Sequence, residues 1–396
     1  MIHRRLSALA LVASGALVVT TTTMLPSFAA DADRADASSP TLADATSPFT
    51  IIVHLEEGSG DPAARLADAK KRIGDAVAQS SPGATMEVVR DYTHAFEGVA
   101  IKAPDSALSA IKATQGVAGA FVEGYHDPVT DPDFWSIQGG YGKPADSSDL
   151  GAASRMTGAA AASQRGQGQV VEVIDTGVDT SHKAFAGVMD AASLRLTQTD
   201  MTALMTDLGA GKNGAWVSDK IPFAYDYADN DADVVPASEK DLNHGTHVTA
   251  IAAANGGEVR GSAPNAQIVV AKVIQDADGV MSDAAMLAAL DDALVIKPDV
   301  INISLGDDSG MSSEAGTIFA DVYKALVDAG ITVNAASGNA FSTAYGNNSG
   351  QNKPFTSDPD TGTLGEPASY RSTLAVASVD AQDTSPYVLP GDRKVP

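Results

Sequence analysis

A chain of 396 residues with 44% apolar side chains is long enough for two or three domains with real cores. Its 50 acidic against 26 basic residues give a formal net charge of −24, which repels polyanions and argues against a nucleic-acid partner. The absence of cysteine excludes disulfides, thiolate metal sites and cysteine nucleophiles.

At the amino terminus, Met1-Ile2-His3-Arg4-Arg5 is basic and Leu6 to Val19 is apolar. Ser27-Phe28-Ala29 then places small residues where a signal peptidase reads. Residues 1–29 therefore predict an export signal, and the mature protein is expected outside the cell or on a bacterial cell surface. The apolar run is interrupted by Ser7, Ser14 and Gly15 and is short for a membrane anchor, so no integral span is expected after signal removal.

Residues 30–48 are mostly Ala, Asp, Ser and Thr, a composition that builds no core and reads as a linker. A compact module is expected over 49–128. Thr50 to Leu55 is strand-like, and Asp61-Pro62 starts a helix with Leu66, Ala69, Ile73 and Val77 on one face. Met86 to Arg90 and Gly98 to Lys102 are two further strands. Pro104-Asp105 opens a helix with Leu108 and Ile111 inward, and Val117 to Val122 closes the unit. The order βαββαβ is that of a small ferredoxin-like α+β domain, a fold open to many binding roles. Residues 129–164, rich in Asp, Pro, Gly, Ser and Ala, read as linker and entry to a second domain over 165–396.

That domain repeats strand, turn and helix. Gln169 to Ile174 is a β-rich run ending at Asp175-Thr176-Gly177. The polar stretch Leu242 to His247 precedes an apolar helix, Val248 to Ala254, and strand Gln267 to Val273 follows. Ser282 caps a helix through Leu294, and Val300 to Ser304 is the next strand. A helix from about Ser313 to Asp328 stops at Gly330, before strands Ile331 to Ala335 and Thr373 to Val379. This alternation predicts an α/β fold, a parallel sheet with helices on both faces. The acidic run Ala224 to Asp231 is read as a solvated loop, with a carboxylate cation site as the alternative. Phe341 to Thr363 is expected to be a surface loop.

In such sheets, sites form beyond the carboxyl ends of the strands. Asp175 ends the first strand, His244 opens the helix of a neighbouring crossover, and Asn339 follows strand Ile331 to Ala335. A buried acid there can fix the tautomer of an imidazole that acts as general base, and an amide can donate to a developing oxyanion. Taken singly, each has a plainer role, as a turn-forming Asp, a helix-capping loop histidine and a loop amide.

Together the motifs Val173-Ile174-Asp175-Thr176-Gly177-Val178-Asp179, His244-Gly245-Thr246-His247-Val248, Val300 to Gly306 and Ala336-Ser337-Gly338-Asn339 resemble those of subtilisin-like serine proteases, including the order Asp before His. Lys220 to Asn230 and Gly365 to Tyr370 resemble more closely the bacterial cell-envelope proteinases of the lactocepin type. The resemblance implies a subtilisin-like sheet and Asp-His-Ser chemistry on protein or peptide substrates, with Asp175 orienting the base, His244 as the base and Asn339 as the oxyanion donor. It implies that Ser304, Leu305 and Gly306 pair with substrate backbone and that Ala335, Ala336 and Ser337 line the pocket before the scissile bond. It also implies that the module over 49–128, with Tyr92 to Gly98, is an inhibitory propeptide acting as an intramolecular partner. No cofactor is required by that chemistry. Structural calcium is compatible with the acidic composition, but the loop Asn255 to Arg260 is shorter than the family's common calcium loop.

The family's nucleophile lies in Gly-Thr-Ser-Met-Ala, and no such segment occurs in residues 1–396. The expectation is therefore a chain truncated before the catalytic serine, with an incomplete fold and no activity of its own. The alternative is a secreted pseudoprotease or a protease-binding, inhibitory fragment. A remote alternative is an aspartic protease, from the two triplets Asp175-Thr176-Gly177 and Asp360-Thr361-Gly362, although the alternating helices oppose it. A zinc site at His244 and His247 lacks an intervening Glu and a third ligand.

Overall fold

The computed structural model describes residues 48–126, 155, 157–236, 243–257, 259–306, 314–338, 364–377, 387–389 and 393–395. The signal and linker readings over 1–47, most of the linker over 129–164, the loop 341–363, Asn339 and Asp360 lie outside them. Among the described residues no helix is long and apolar enough to cross a membrane.

The first module is a four-stranded antiparallel sheet with two helices. Strand β1 (Pro48–Leu55) leads to helix α1 (Pro62–Ser80), then β2 (Glu87–Tyr92), β3 (Gly98–Pro104), α2 (Leu108–Lys112) and β4 (Val117–Val122), in spatial order β2-β3-β1-β4. Asp61 caps α1 by accepting from the Ala63 N–H, with Pro62 at its start, where the missing N–H is no loss. The strand period of two separates two faces. Ile51, Val53 and Leu55 of β1 pack with Leu66, Ala69, Ile73 and Val77 of α1. Ile52 points the other way and joins Tyr92, Phe96, Ala100 and Phe121 in the core of the second domain.

After a two-residue strand β5 (Tyr125–His126), the second domain contains β6 (Val170–Asp175), α3 (Gln198–Leu204), β7 (Phe223–Asp226), α4 (His244–Ala253), β8 (Gln267–Lys272), β9 (Met281–Ser282) and α5 (Asp283–Ile296). It continues with β10 (Val300–Ile303), α6 (Glu314–Asp328), β11 (Thr332–Ala336), β12 (Leu374–Val376) and the hairpin strands β13 (Tyr387–Leu389) and β14 (Arg393–Val395). Six strands form one parallel sheet in the order β12-β11-β10-β6-β8-β7. On β6, Val170 and Ile174 face the core shared with α5 and α6, while Val173 faces the core that includes Ala253 of α4. Burial on both faces explains why these strands read as continuous apolar runs.

One expectation is corrected in part. The acidic run Ala224 to Asp231 is a solvated turn only in its second half, where Asp229, Asn230 and Asp231 are exposed; its first half belongs to β7, the edge strand beside β8, and Tyr225, Asp226 and Tyr227 are buried. Helix α4 buries Gly245, Thr249 and Ala253, while Ile251 is 56% exposed.

Candidate active site

Asp175 is the last residue of β6 and is 1% exposed. The chain turns sharply after it, and the Thr176 N–H donates to Asp175 Oδ1 at 2.7 Å. Gly177 has φ +107°, and a side chain there would stand 2.5 Å from the Val234 carbonyl, so the turn demands glycine. Two threonines lace this turn to the start of α4. The Gly245 N–H donates to Thr176 Oγ1 at 2.9 Å, and the Asp179 N–H donates to Thr246 Oγ1 at 2.9 Å. Gly245 lies against the turn so closely that a Cβ would overlap the Gly177 carbonyl.

That lacing brings His244 onto the acid. Nδ1 of His244 lies 2.8 Å from Asp175 Oδ1, and because an ionised carboxylate only accepts, Nδ1–H is the donor. The other ring nitrogen, Nε2, is left for proton transfer on a side chain 42% exposed. The hydrogen bond to Asp175 raises the His244 pKa above 6.5, against burial, which lowers it, and with the charge of Asp175 adding to the rise. The stability this pair contributes is thus present below pH 6.5 and lost as pH rises through the raised value. Asp175 Oδ2 is buried with no hydrogen-bond partner among the described residues.

The other expected residues that are described lie at or just after the carboxyl ends of β10 and β11. β10 is the neighbour of β6 and β11 the next strand over. Ser304, Leu305 and Gly306 follow the end of β10, where Asn302 Nδ2 donates to Ser304 Oγ at 3.0 Å, Leu305 is buried, and Gly306 packs on the backbone of Glu366. Ala335 and Ala336 end β11, and Ser337 donates its N–H to the Val376 carbonyl at 2.9 Å. Asn339 is outside the described residues. His247 is exposed.

Among the described residues two clusters have the reach to hold a cation, His94-Asp291-Asp292 and Asp226-Asp229-Asp276, and neither includes His244 or His247. Both are already served by donors of the protein. Asp291 accepts from the N–H groups of Thr93, His94 and Ala95, and Asp292 from those of Gly209 and Gly211. The other cluster surrounds the ammonium of Lys272.

The first module meets the second domain at the start of α5. Glu123 Oε1 accepts from the Ala284 N–H at 3.0 Å, the Gly124 N–H donates to Asp283 Oδ2 at 2.8 Å, and β5 pairs antiparallel with β9. Arg90 donates to the carbonyls of Tyr227 and Ala284 and to Asn230 Oδ1.

Thr176, Thr246 and Lys272 went unnoticed in the sequence. The two threonines sit inside the Asp175 and His244 motifs, and Lys272 was signalled by a charge at the end of the apolar strand Ile268-Val269-Val270-Ala271.

The match to the subtilase family model covers residues 166–389, more than half of the chain. The chain is 34% identical over 227 residues to the PII-type proteinase of Lacticaseibacillus paracasei, covering 55% of this chain and 12% of that protein. To the C5a peptidase of Streptococcus pyogenes it is 28% identical over 222 residues, 54% of this chain and 18% of that one. It therefore spans less than a fifth of the length of these relatives. The crystal structure of the epidermin leader peptide processing serine protease (EpiP) from Staphylococcus aureus superposes with a TM-score of 0.52 at 15% identity, covering 86% of this chain and 71% of that one, a likeness of fold. The parallel sheet and the family match over the residues that build it lead to one assignment: this chain belongs to the subtilase family.

Proposed function

We propose that residues 165–396 carry the acid and base of a secreted serine endopeptidase acting on proteins or peptides, and that the module over 49–128 is its intramolecular inhibitor. The observation that carries the reading is the 2.8 Å contact between His244 Nδ1 and the buried Asp175. In this scheme Nε2 of His244 takes the proton of a serine hydroxyl as its oxygen attacks the scissile carbonyl, and Asp175 stabilises the imidazolium that forms. The Asn339 amide donates to the oxyanion, Ser304 to Gly306 pair with substrate backbone, and Ala335 to Ser337 line the pocket. No cofactor takes part. Export is supported by the signal-like residues 1–29, and the inhibitory role by the module's bonds to α5 through Glu123 and Asp291.

A second reading is a chain that binds or inhibits proteases without cleaving, which the same module and its bonds to α5 would also serve. Fluorophosphonate labelling of the protein recovered from its native culture separates the two. The protease reading expects a labelled serine and a loss of labelling rate of 10²-fold or more in His244→Ala, on the order of a general base's contribution. A native protein that takes no label overturns it in favour of the second reading.

A further inference from the structure

Strand β8 is apolar and buried up to its last residue, and Lys272 at that position is itself 0% exposed. A buried ammonium persists only with partners. Nζ donates to Asp226 Oδ2 at 2.5 Å, the Ile274 carbonyl at 2.7 Å and Asp229 Oδ2 at 3.3 Å, and it is ion-paired with Asp276 Oδ1 at 3.0 Å. These come from the end of β7, the turn after it and the loop after β8. Burial by itself would lower the Lys272 pKa, but the hydrogen bonds and charges of Asp226 and Asp276 outweigh it and the net shift is upward, so the group stays charged. A triad of carboxylates suited to a hard cation is filled by the protein's own ammonium.

The stem of the same side chain faces the active site. Lys272 is the β-ladder partner of Asp175 in the parallel pair of β8 and β6, and the Val273 N–H donates to the Asp175 carbonyl at 3.1 Å. Under the Asp175-Thr176-Gly177 turn, a Cβ on Gly177 would stand 2.9 Å from Lys272 Cδ and 3.4 Å from its Cγ. The turn that aims Asp175 therefore rests on the lysine stem.

We propose that Lys272 is a positioning residue: its clamped ammonium holds the stem as a floor beneath the Gly177 turn and so keeps Asp175 Oδ1 on His244 Nδ1. This role presupposes that Asp175 and His244 are the acid and base proposed above, and it requires no contact between Lys272 and substrate.

The test follows the His244 ring by NMR in the full 396-residue chain, where charge and position act with opposite sign. Removing the ammonium leaves Asp226, Asp229 and Asp276 uncompensated, which by electrostatics alone raises the His244 titration midpoint, whereas loss of the Asp175 hydrogen bond lowers it. Lys272→Met is expected to lower the midpoint by about one pH unit and to abolish the low-field resonance of the Nδ1 proton. A midpoint that rises or stays, even with a loss of thermal stability, overturns the proposal and leaves Lys272 a structural residue only. Should Lys272→Met fail to fold, Asp276→Asn carries the test, because that side chain is 44% exposed. Releasing this anchor is expected to speed solvent exchange of the Nδ1 proton several-fold, and an unchanged exchange rate overturns the proposal. Asp175→Asn separates the two levels. If it leaves the His244 midpoint unmoved, the acid–base reading itself fails. If it lowers the midpoint and Lys272→Met does not, only the role of Lys272 fails.

Discussion

Glu172 stands in the middle of β6, fully buried, with neither carboxylate oxygen bonded to a partner among the described residues. Its neighbours Val170 and Ile174 mark the face it occupies, toward the core that α5 also lines. Burial, reinforced by the charge of Asp292, raises its pKa well above 4.5. In the unfolded chain the carboxyl ionises near pH 4.5, while in the folded chain it holds its proton to higher pH, so the unfolded state binds fewer protons and stability falls as pH rises between the two values. Glu172→Gln should remove that slope. Chemical denaturation is expected to show the variant more stable at pH 7 by about 1–2 kcal/mol, an advantage that shrinks toward pH 4. An identical pH dependence in both proteins would mean that the carboxyl is satisfied in the fold.

Helix α4 reaches β6 through Gly245, Thr249 and Ala253, a face of small residues that allows close approach. At Gly245 the approach is tightest, because a Cβ would overlap the Gly177 carbonyl and stand 3.0 Å from Asp175 Cβ. Neither neighbour can swing aside, since the first is backbone and Asp175 is held by the Thr176 N–H. Gly245→Ala is therefore expected to cost about 1–3 kcal/mol in chemical denaturation, as overpacking does, and to lower the His244 titration midpoint by moving the helix off Asp175. An unchanged midpoint would show that the turn yields without disturbing the pair. The strands of this sheet were legible in the sequence because burial on both faces writes itself as apolar runs, and the ends of β6, β8 and β10 fall within a residue or so of expectation. That Asp175 and His244 approach each other was legible because both sit at crossover ends, at the start or finish of an element. The first half of the acidic run at Ala224 was misread for a reason of the same kind. Asp226 is buried because Lys272, far away in sequence, lies beside it across the pair of β7 and β8, and no local pattern discloses a partner that only the sheet brings near.

At the scale of the whole molecule, the seam between the first module and the second domain is built from carboxylates that accept backbone N–H groups in both directions. Glu123 reaches from the module to the first turn of α5, satisfying one of the donors that a helix start leaves open. Asp291 reaches the other way from α5 and takes the N–H groups of Thr93, His94 and Ala95 at 3.1, 2.9 and 2.6 Å, ordering the turn between β2 and β3. Between these polar contacts, Ile52, Tyr92, Phe96 and Phe121 share one apolar core with α5 and α6. The apolar contact is non-directional, whereas the N–H bonds fix register, so loss of Asp291 should loosen the turn locally before it separates the parts. Asp291→Ala leaves three N–H groups without their acceptor, at about 1–3 kcal/mol for each one that stays buried. In hydrogen exchange on the intact chain, the amides of Thr93 to Ala95 are expected to exchange at least about tenfold faster, while those of β6 and β8 keep their protection. Equal acceleration throughout would mean that Asp291 supports the fold of the second domain, and no acceleration at all would mean that the apolar core holds the seam without it.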